Sequence, residues 1–251
     1  MNSIPGTRSD DTSPSGGPGG EGHVLAQNRV LMQIYELLLE RFGPQHWWPG
    51  ETPFEVVVGA ILTQSAAWRN VERAISNLKA ADSLSMEGIL SLPVERLSEL
   101  VRPSGYFNMK ARKLKAVCSF LAETCSGDLA RMSLRPLDEV RKELLSVYGI
   151  GPETADSILL YACNMPTFVV DAYTRRIFGR LGLVDPKEGY EDLRRFFMDR
   201  LPKSVPLFNE YHALLVALGK NICLSRKPKC GECPLNGLCA RASGRQAMAR
   251  Y

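Results

Sequence analysis

Hydrophobic residues recur every three or four positions along most of the chain, which is the period of α-helices that bury one face. On the first such helix the apolar face comprises Leu31, Ile34, Leu38 and Phe42. The same period predicts further helices at Trp68–Ala80, Val94–Val101, Asn108–Thr124, Leu137–Val147, Glu153–Cys163, Ala172–Leu181, Tyr190–Leu201 and Val205–Ile222. No segment alternates convincingly between apolar and polar residues over the length of a strand. The pattern therefore predicts an all-α fold.

The pattern also divides the chain into parts. Residues 1–24 are mostly Gly, Pro, Ser, Thr and acidic residues, so we expect a disordered tail there. Residues 52–165 are a continuous run of helices and predict one helical lobe. Residues 25–51 would pack with residues 166–240 as a second lobe, leaving a cleft between the two. Residues 241–251 would form a C-terminal tail.

Composition and charge change this picture little. Of the 251 residues, 45% are hydrophobic and 23% are charged, as in ordinary globular proteins. No apolar run approaches the roughly 18 residues that would span a bilayer, and the N-terminus lacks the pattern of a secretory signal. The net charge of +4 is compatible with a phosphate-binding surface but does not require one.

Two glycines lie two positions apart in the turn between two predicted helices, within the segment Val147–Ala155. Glycine lets the backbone adopt conformations closed to other residues and approach another molecule closely. Gly149 and Gly151 would also leave the first N–H groups of the next helix free for a DNA phosphate, while Ile150 would bury itself and hold the turn rigid. A helix–turn–helix that serves only packing fits these residues equally well.

Four of the seven cysteines are clustered near the end of the chain: Cys223, Cys230, Cys233 and Cys239. Four thiolates at the spacing C-x6-C-x2-C-x5-C can surround one metal centre, but they cannot all form comfortable disulfides. Zinc and a [4Fe–4S] cluster both accept four thiolates, and the spacing alone does not decide between them. The scattered Cys118, Cys125 and Cys163 are more typical of core packing.

Asp171 follows an apolar run at the start of a predicted helix, where an aspartate taken alone is best explained as an N-cap. The hairpin, the Val-Val-Asp segment that ends at Asp171 and the cysteine spacing together resemble the endonuclease III superfamily of helix–hairpin–helix DNA glycosylases. The resemblance covers nearly all of the chain after the tail. It implies that the hairpin, including Thr154, binds backbone phosphate and that the target nucleotide is flipped into the cleft between two lobes.

The same resemblance implies roles for the carboxylate and the cysteines. Asp171 would be catalytic, either stabilising positive charge on the deoxyribose or activating the attacking water. The cysteines would hold a [4Fe–4S] cluster, with a structural role. The loop that contains Arg226, Lys227 and Lys229 would rest on the DNA backbone; solvated surface charge is the alternative for these three residues.

One position departs from the bifunctional members of that superfamily. Those enzymes carry a lysine two residues after the second hairpin glycine, where it forms a Schiff base with the sugar and allows strand cleavage. The matching residue here is Glu153, and a carboxylate cannot form an imine. The resemblance therefore predicts a monofunctional glycosylase, without AP lyase activity.

Other segments resemble the bacterial helix–hairpin–helix 3-methyladenine DNA glycosylases. These segments are Trp-Trp-Pro at 47–49, Ile-Leu-Thr-Gln at 61–64 and Arg-Pro-Ser-Gly at 102–105. By this resemblance the base pocket comprises Trp47, Trp48, Pro49, Trp68 and Glu153. Purines alkylated at N3 or N7 are cationic, and a cation between aromatic faces gains roughly 0.5–2 kcal/mol. Core packing is the alternative for the tryptophans, and some members of this branch lack the cysteine cluster.

The loop Gly105–Asn108 matches the place where the family wedges a side chain into the duplex to fill the gap left by the flipped base. Tyr106 is the predicted wedge, with Gln64 or Ser65 approaching from the other side. Each of these side chains would serve equally as a helix cap.

The expected partner is double-stranded DNA that contains a damaged base, with no membrane involved. The resemblance implies a monomer, and we expect it in the cytoplasm, associated with the nucleoid. Two other hypotheses stay open. One is a glycosylase for oxidised, deaminated or mismatched bases, and the other is a non-catalytic iron–sulfur protein that binds damaged DNA.

Overall fold

The regular secondary structure is all helical in the part that the structure, a computed structural model, describes: the backbone of residues 19–244 and the side chains of residues 27–244. Within this range there is no strand, which confirms the all-α prediction. The α-helices are α1 Gly19–Phe42, α2 Pro53–Leu62, α3 Trp68–Ala80, α4 Met86–Ser91, α5 Val94–Leu100, α6 Phe107–Cys125, α7 Leu137–Ser146, α8 Pro152–Ser157, α9 Ala172–Leu181, α10 Tyr190–Met198 and α11 Val205–Asn221. No helix among the described residues is long and apolar enough to cross a membrane.

Local signals in the sequence explain where several helices begin. Thr52 caps α2, because its side-chain oxygen accepts a hydrogen bond of 3.1 Å from the Glu55 N–H, and Pro53 occupies the first helical position. Ser204 caps α11 in the same way, through the Leu207 N–H at 3.4 Å. Short 3₁₀ helices at Arg102–Ser104, Leu129–Leu134, Cys230–Glu232 and Asn236–Leu238 complete the backbone.

Three features of the chain differ from the predicted pattern. Helix α1 begins at Gly19, so residues 19–24 of the predicted tail are helical; a helix propagates cheaply from a packed segment once it has been nucleated. The single helix predicted at Glu153–Cys163 is instead α8 followed by a π-helical turn, Ile158–Ala162. Helix α4 is too short to give a period. Residues 1–18 and 245–251, which hold most of both predicted tails, lie outside the described residues.

The helices bury two hydrophobic cores. The first core draws its side chains from α2 to α8. The second draws them from α1, from α9 to α11 and from the segment Phe168–Val170. Helix α1 joins the second core by packing on α11, where the buried Tyr211 hydroxyl donates a hydrogen bond of 2.8 Å to the Leu31 carbonyl. Tyr161, on the π-helical turn, packs against both cores.

A buried carboxylate joins the two sets of helices. Asp156 on α8 is fully buried and accepts two hydrogen bonds from Arg141, at 2.9 and 3.0 Å. It also accepts one of 2.8 Å from the Thr167 hydroxyl and one of 2.9 Å from the Tyr190 hydroxyl of α10. The Tyr190 oxygen in turn accepts the Val170 N–H at 3.4 Å. This network holds the segment that leads into Asp171.

Candidate active site

The hairpin is a five-residue turn between α7 and α8, with Ile150 buried in its middle. Gly149 has a φ of +80°, and a Cβ there would lie 2.4 Å from Cγ of Lys113, so both the conformation and the space require glycine. Gly151 is exposed, and a Cβ there would meet no atom within 4 Å. The open side of the turn is therefore at Gly151.

Gln64 braces this hairpin from the end of α2. Its side-chain amide donates to the Gly149 carbonyl at 3.2 Å and to the Thr154 hydroxyl at 2.9 Å. Its carbonyl oxygen accepts from the Lys113 ammonium at 2.5 Å. Both ends of Gln64 and the buried Thr154 are thus bonded within the protein. The neighbouring Ser65, by contrast, is exposed with a φ of +53°.

Asp171 is the N-cap of α9, and its two carboxylate oxygens face different partners. Oδ1 accepts the Thr174 N–H at 2.7 Å, while Oδ2 lies 3.5 Å from Nε2 of His212 on α11. The N-cap interpretation is thus correct, and it leaves one oxygen free for chemistry. Burial raises the pKa of Asp171, but His212 and the Thr174 N–H outweigh it, so the pKa lies below its ordinary value.

His212 and Tyr161 belong to the same site, although the sequence did not indicate either. His212 is buried, and its Nδ1 lies 2.6 Å from the Tyr161 hydroxyl. Burial and the charge of Asp171 raise the pKa of Tyr161 well above its ordinary value, so the phenol stays protonated. A single histidine or tyrosine within an apolar helix carries no local signal that separates a site residue from a core residue.

Glu153 lies in the first turn of α8 and is exposed. Even so, the surrounding protein partly desolvates the carboxyl group, which raises the pKa of Glu153 above its ordinary value. The Asp171 carboxylate also raises this pKa, and His212 opposes the shift. Because the charge of Asp171 acts on Glu153, the two predicted carboxylates belong to one site.

The three tryptophans meet in one cluster beside Tyr161. The Trp47 ring centroid is 5.3 Å from that of Trp48 and 6.4 Å from that of Trp68, and Trp48 lies 5.6 Å from Trp68. Trp48 also lies 5.3 Å from Tyr161. Interplanar angles of 46–84° mean that no two of the tryptophan rings are parallel. The rings contact each other, and do not form the two parallel faces of an empty slot.

The indole nitrogens of this cluster differ in their partners. Nε1 of Trp68 donates to Glu72 at 2.8 Å. Nε1 of Trp47 and Nε1 of Trp48 are both buried and have no hydrogen-bond partner. Pro49, next to them, is exposed.

The predicted wedge lies on the same part of the molecule as the end of α2. Tyr106 is 67% exposed, has a φ of +47° and stands at the start of α6. Beneath it, the ammonium of the buried Lys110 donates to the Leu62 carbonyl at 2.8 Å and to the Ser104 carbonyl at 2.7 Å. Lys110 thus ties the loop after α2 to the loop that presents Tyr106.

The four clustered cysteines line one cavity near α9, together with Arg180. The Arg180 guanidinium donates to Sγ of Cys223 at 3.2 Å and to the Leu224 carbonyl at 2.7 Å, which fixes one wall. Burial raises the pKa of the Cys233 thiol, and the other three thiols raise it further, so the four sulfurs lie near one another. Four thiol sulfurs around one cavity are a donor set that fits a [4Fe–4S] cluster. Arg226, Lys227 and Lys229 are exposed beside it.

With this geometry in place, similarity to known proteins decides the family. Residues 58–203, more than half of the chain, match the HhH-GPD superfamily of base excision DNA repair proteins. The chain belongs to this superfamily. Residues 223–239, which begin and end at two of the clustered cysteines, match the iron–sulfur binding domain of endonuclease III. This HhH-GPD protein is therefore an endonuclease III-like DNA glycosylase of base excision repair, with a [4Fe–4S] cluster as its cofactor.

Individual relatives agree with this assignment. The chain is 47% identical over 212 residues to "Putative DNA repair glycosylase MJ1434" of Methanocaldococcus jannaschii, covering 84% of this chain and 96% of that protein. The fold matches an endonuclease III trapped on DNA, with a TM-score of 0.74, 22% identity, and 86% and 97% of the two chains covered. It also matches the H. pylori 3-methyladenine DNA glycosylase bound to 1,N6-ethenoadenine, with a TM-score of 0.66, 28% identity, and 77% and 96% covered.

Proposed function

We propose that this HhH-GPD protein is a monofunctional DNA glycosylase that hydrolyses the N-glycosidic bond of alkylated purines such as 3-methyladenine. The observation that carries the proposal is the combination around Tyr161, which packs on Trp48 of the tryptophan cluster and feels the charge of Asp171, the carboxylate that also acts on Glu153. Similarity to the H. pylori 3-methyladenine DNA glycosylase supports the same branch.

The chemistry of the site suits a cationic base. An N3- or N7-alkylated purine carries a positive charge, which aromatic rings and nearby carboxylates both favour. Asp171 is ionised because its pKa is lowered, and Glu153 adds a second carboxylate at the cleft. A neutral purine would gain less from either feature, so the pocket selects by charge.

Asp171 acts on the sugar. As the bond between C1′ and the base nitrogen breaks, its electron pair leaves with the base, which departs neutral. The positive charge that develops on the deoxyribose is stabilised by Oδ2 of Asp171, the oxygen that does not cap α9. Water then adds to C1′ and gives up a proton, which the Asp171 carboxylate accepts. Because the base is already a good leaving group, this scheme needs no strong general acid.

Glu153 explains why the reaction stops at the abasic site. In this position a lysine amine would attack C1′ and form an imine, from which the strand is cut; a carboxylate cannot. The hairpin around Gly151 and the loop with Tyr106 would hold the duplex while the base is flipped. The [4Fe–4S] cluster on Cys223, Cys230, Cys233 and Cys239 supplies a structural crosslink for the basic loop between the first two of them.

A panel of duplexes, each with one defined lesion, tests the proposal. The purified holoprotein should release 3-methyladenine as the free base, with the strand left intact until alkali is added. Asp171→Asn should bind the same duplex and release no base. Preferential release of an oxidised, deaminated or mismatched base would contradict the alkylpurine assignment, and damage binding without release of any base would contradict a catalytic role.

The monofunctional claim has a separate test. Borohydride should trap no covalent complex between the protein and DNA during base release, because no amine attacks C1′. Endonuclease III, which is trapped under the same conditions, serves as the positive control. A trapped adduct with this protein would overturn the claim.

A further inference from the structure

A buried histidine faces the candidate catalytic carboxylate without making a hydrogen bond to it. His212 is 5% exposed, and its Nε2 has no hydrogen-bond partner although Oδ2 of Asp171 is 3.5 Å away. Its Nδ1 is 2.6 Å from the Tyr161 hydroxyl. The three side chains come from α11, the N-cap of α9 and the π-helical turn. A buried polar atom left unpaired costs about 1–3 kcal/mol, so this arrangement calls for a functional explanation.

The position of the imidazole proton follows from its two neighbours. If Nδ1 carried the only proton, the lone pair of Nε2 would face the ionised Asp171 carboxylate and repel it. If Tyr161 donates its hydroxyl proton to Nδ1, then Nε2 carries the imidazole proton and points it at Asp171. Tyr161 can donate because it stays protonated. The second arrangement satisfies every group.

We propose that Tyr161, His212 and Asp171 form a hydrogen-bonded chain, in which Tyr161 fixes the neutral Nε2–H tautomer of His212 and His212 holds Asp171 in position. His212 and Tyr161 are thus positioning residues that act through Asp171. The distance of 3.5 Å shortens to a hydrogen bond in the complex with DNA, as catalytic hydrogen bonds commonly do.

This chain serves a cationic substrate, and in that respect it rests on the proposed function. A neutral imidazole orients the Asp171 carboxylate without placing a positive charge beside a positively charged base. Tyr161 also packs on Trp48, with ring centroids 5.3 Å apart, so the same tyrosine contacts both the aromatic cluster and the histidine. A base that displaces Trp48 would affect Asp171 through two side chains, those of Tyr161 and His212.

The titratable groups that face Asp171 set its pH behaviour. They are His212 on α11, Tyr161 on the π-helical turn and Glu153 on α8. Without His212, burial of Asp171 would be less opposed, and the pKa of Asp171 would rise. The acid limb of the pH–rate profile should therefore move to higher pH when His212 is replaced by leucine.

The first experiment reads the tautomer directly and needs no activity. The chain has three histidines, so ¹⁵N-labelled holoprotein and a His212→Gln reference assign the His212 ring in long-range ¹H–¹⁵N spectra. We expect protonated Nε2 and unprotonated Nδ1 at neutral pH. We expect Tyr161→Phe to disturb this pattern. A doubly protonated ring, the Nδ1–H tautomer, or no change in Tyr161→Phe would each overturn the proposal.

The second experiment measures single-turnover base release and DNA affinity in matched variants. Tyr161→Phe keeps the ring beside Trp48 and should release base at least about 10-fold more slowly, with Kd for DNA changed less than about 2-fold. Tyr211→Phe is the control. It also removes one buried hydroxyl and is the residue next to His212 in the sequence, but this hydroxyl binds the Leu31 carbonyl and is not part of the chain to Asp171. Equal rates in the two variants would contradict the chain.

His212 itself is tested by a conservative and a disruptive substitution. His212→Gln retains an N–H near Asp171 and should keep more of the rate of base release than His212→Leu. In His212→Leu the acid limb of the pH–rate profile should also move to higher pH. Full activity in His212→Leu would overturn the proposal. If Asp171→Asn stays active, the proposed function is wrong, and the NMR result still tests the hydrogen-bonded chain separately. If Asp171→Asn is inactive but the Tyr161 and His212 variants behave as wild type, only the hydrogen-bonded chain is wrong.

Discussion

At the scale of the residue, the most unusual group outside the catalytic cleft is a buried lysine. Lys110 is 2% exposed, yet its ammonium donates to two backbone carbonyls, that of Leu62 at the end of α2 and that of Ser104 at the end of a 3₁₀ helix. Burial, together with repulsion by Lys113, lowers its pKa from an ordinary 10.5 to about 8. The buried charge is therefore destabilising in itself, while its two hydrogen bonds hold these two segments together.

The first prediction is a pH-dependent stability that belongs to Lys110. The folded-state pKa lies below the unfolded one, so between about pH 8 and 10.5 the unfolded chain binds more protons and stability rises with pH. The gain reaches at most about 3 kcal/mol. The thermal midpoint of wild type relative to Lys110→Met should therefore increase from pH 7 to pH 10. A difference that stays constant over this range would contradict the prediction.

The second prediction is a gain of chemistry at Glu153. Glu153→Lys places an amine in the first turn of α8, at a position where the charge of Asp171 affects the side chain. With a duplex from which the wild type releases a base, borohydride should trap a covalent adduct of this variant and none of the wild type. Glu153→Gln is the control, since it removes the charge without supplying a nucleophile. Adduct formation by the control would point to another amine.

Single residues were predictable where a local rule applies. Asp171 follows from N-cap chemistry and from the resemblance, and Gly149 from the backbone freedom that the turn requires. His212 and Tyr161 were not, because their roles depend on α11 meeting the π-helical turn, a contact between residues 51 positions apart. Gln64 was predicted to approach the duplex opposite Tyr106; in the structure its amide is bonded to the hairpin.

At the scale of the element, the hairpin separates two requirements for glycine. Gly149 needs glycine for the fold, since its φ is +80° and Lys113 fills the space where a side chain would lie. Gly151 has φ −93° and open space around it, so the fold does not need glycine there. If glycine is required at position 151, the requirement therefore comes from a molecule bound at the turn and not from the fold.

The third prediction follows from this contrast. Gly149→Ala should lower the free energy of unfolding by about 1–2 kcal/mol, the cost of a left-handed backbone for a residue with a side chain. Gly151→Ala should leave stability nearly unchanged and weaken binding to undamaged duplex DNA, because its methyl group would separate the turn from a phosphate. Thermal denaturation and fluorescence anisotropy check the two effects. Unchanged DNA affinity in Gly151→Ala would argue against a phosphate at this turn.

Helices were predictable from the sequence wherever they are long and amphipathic. The bounds of α3 and α9 agree with the pattern to the residue. The π-helical turn after α8 was not predictable, because its apolar run Ile158–Ala162 fits an α-helix equally well. The wider turn splits this run between the two cores, with Ile158 and Leu159 in one and Leu160 in the other. Tertiary packing, and not local preference, decides such a choice.

At the scale of the whole molecule, Asp156 is the main polar connection between the two sets of helices. Arg141 and Tyr190 bind it from α7 and α10, and Arg194 of α10 lies 3.3 Å from it. This residue could not be predicted from the sequence, because a carboxylate inside a helix looks like surface charge until its partners are known. The same network reaches the Val170 N–H, one residue before Asp171.

The fourth prediction concerns this connection. Asp156→Asn leaves the buried Arg141 with only the half-exposed Glu191 as a charge partner, and should cost about 3–5 kcal/mol of stability, the usual effect of breaking a buried ion pair. Tyr190→Phe, which removes one hydroxyl from the same network, should cost only about 1 kcal/mol. Thermal midpoints of the two holoproteins check the order. Equal losses would mean that the carboxylate charge contributes nothing special.

The packing of α1 on α11 has a consequence for how the enzyme is made. The core of α2 to α8 is complete within one stretch of chain, so it can fold while the ribosome is still at work. Helix α1 is synthesised before that core but packs on α11, which also brings His212. The site around Asp171 is therefore complete only after α11 has been synthesised. A chain cut short by a premature stop before α11 would lack a finished cleft, so the cell is spared an incomplete enzyme that excises bases from its DNA.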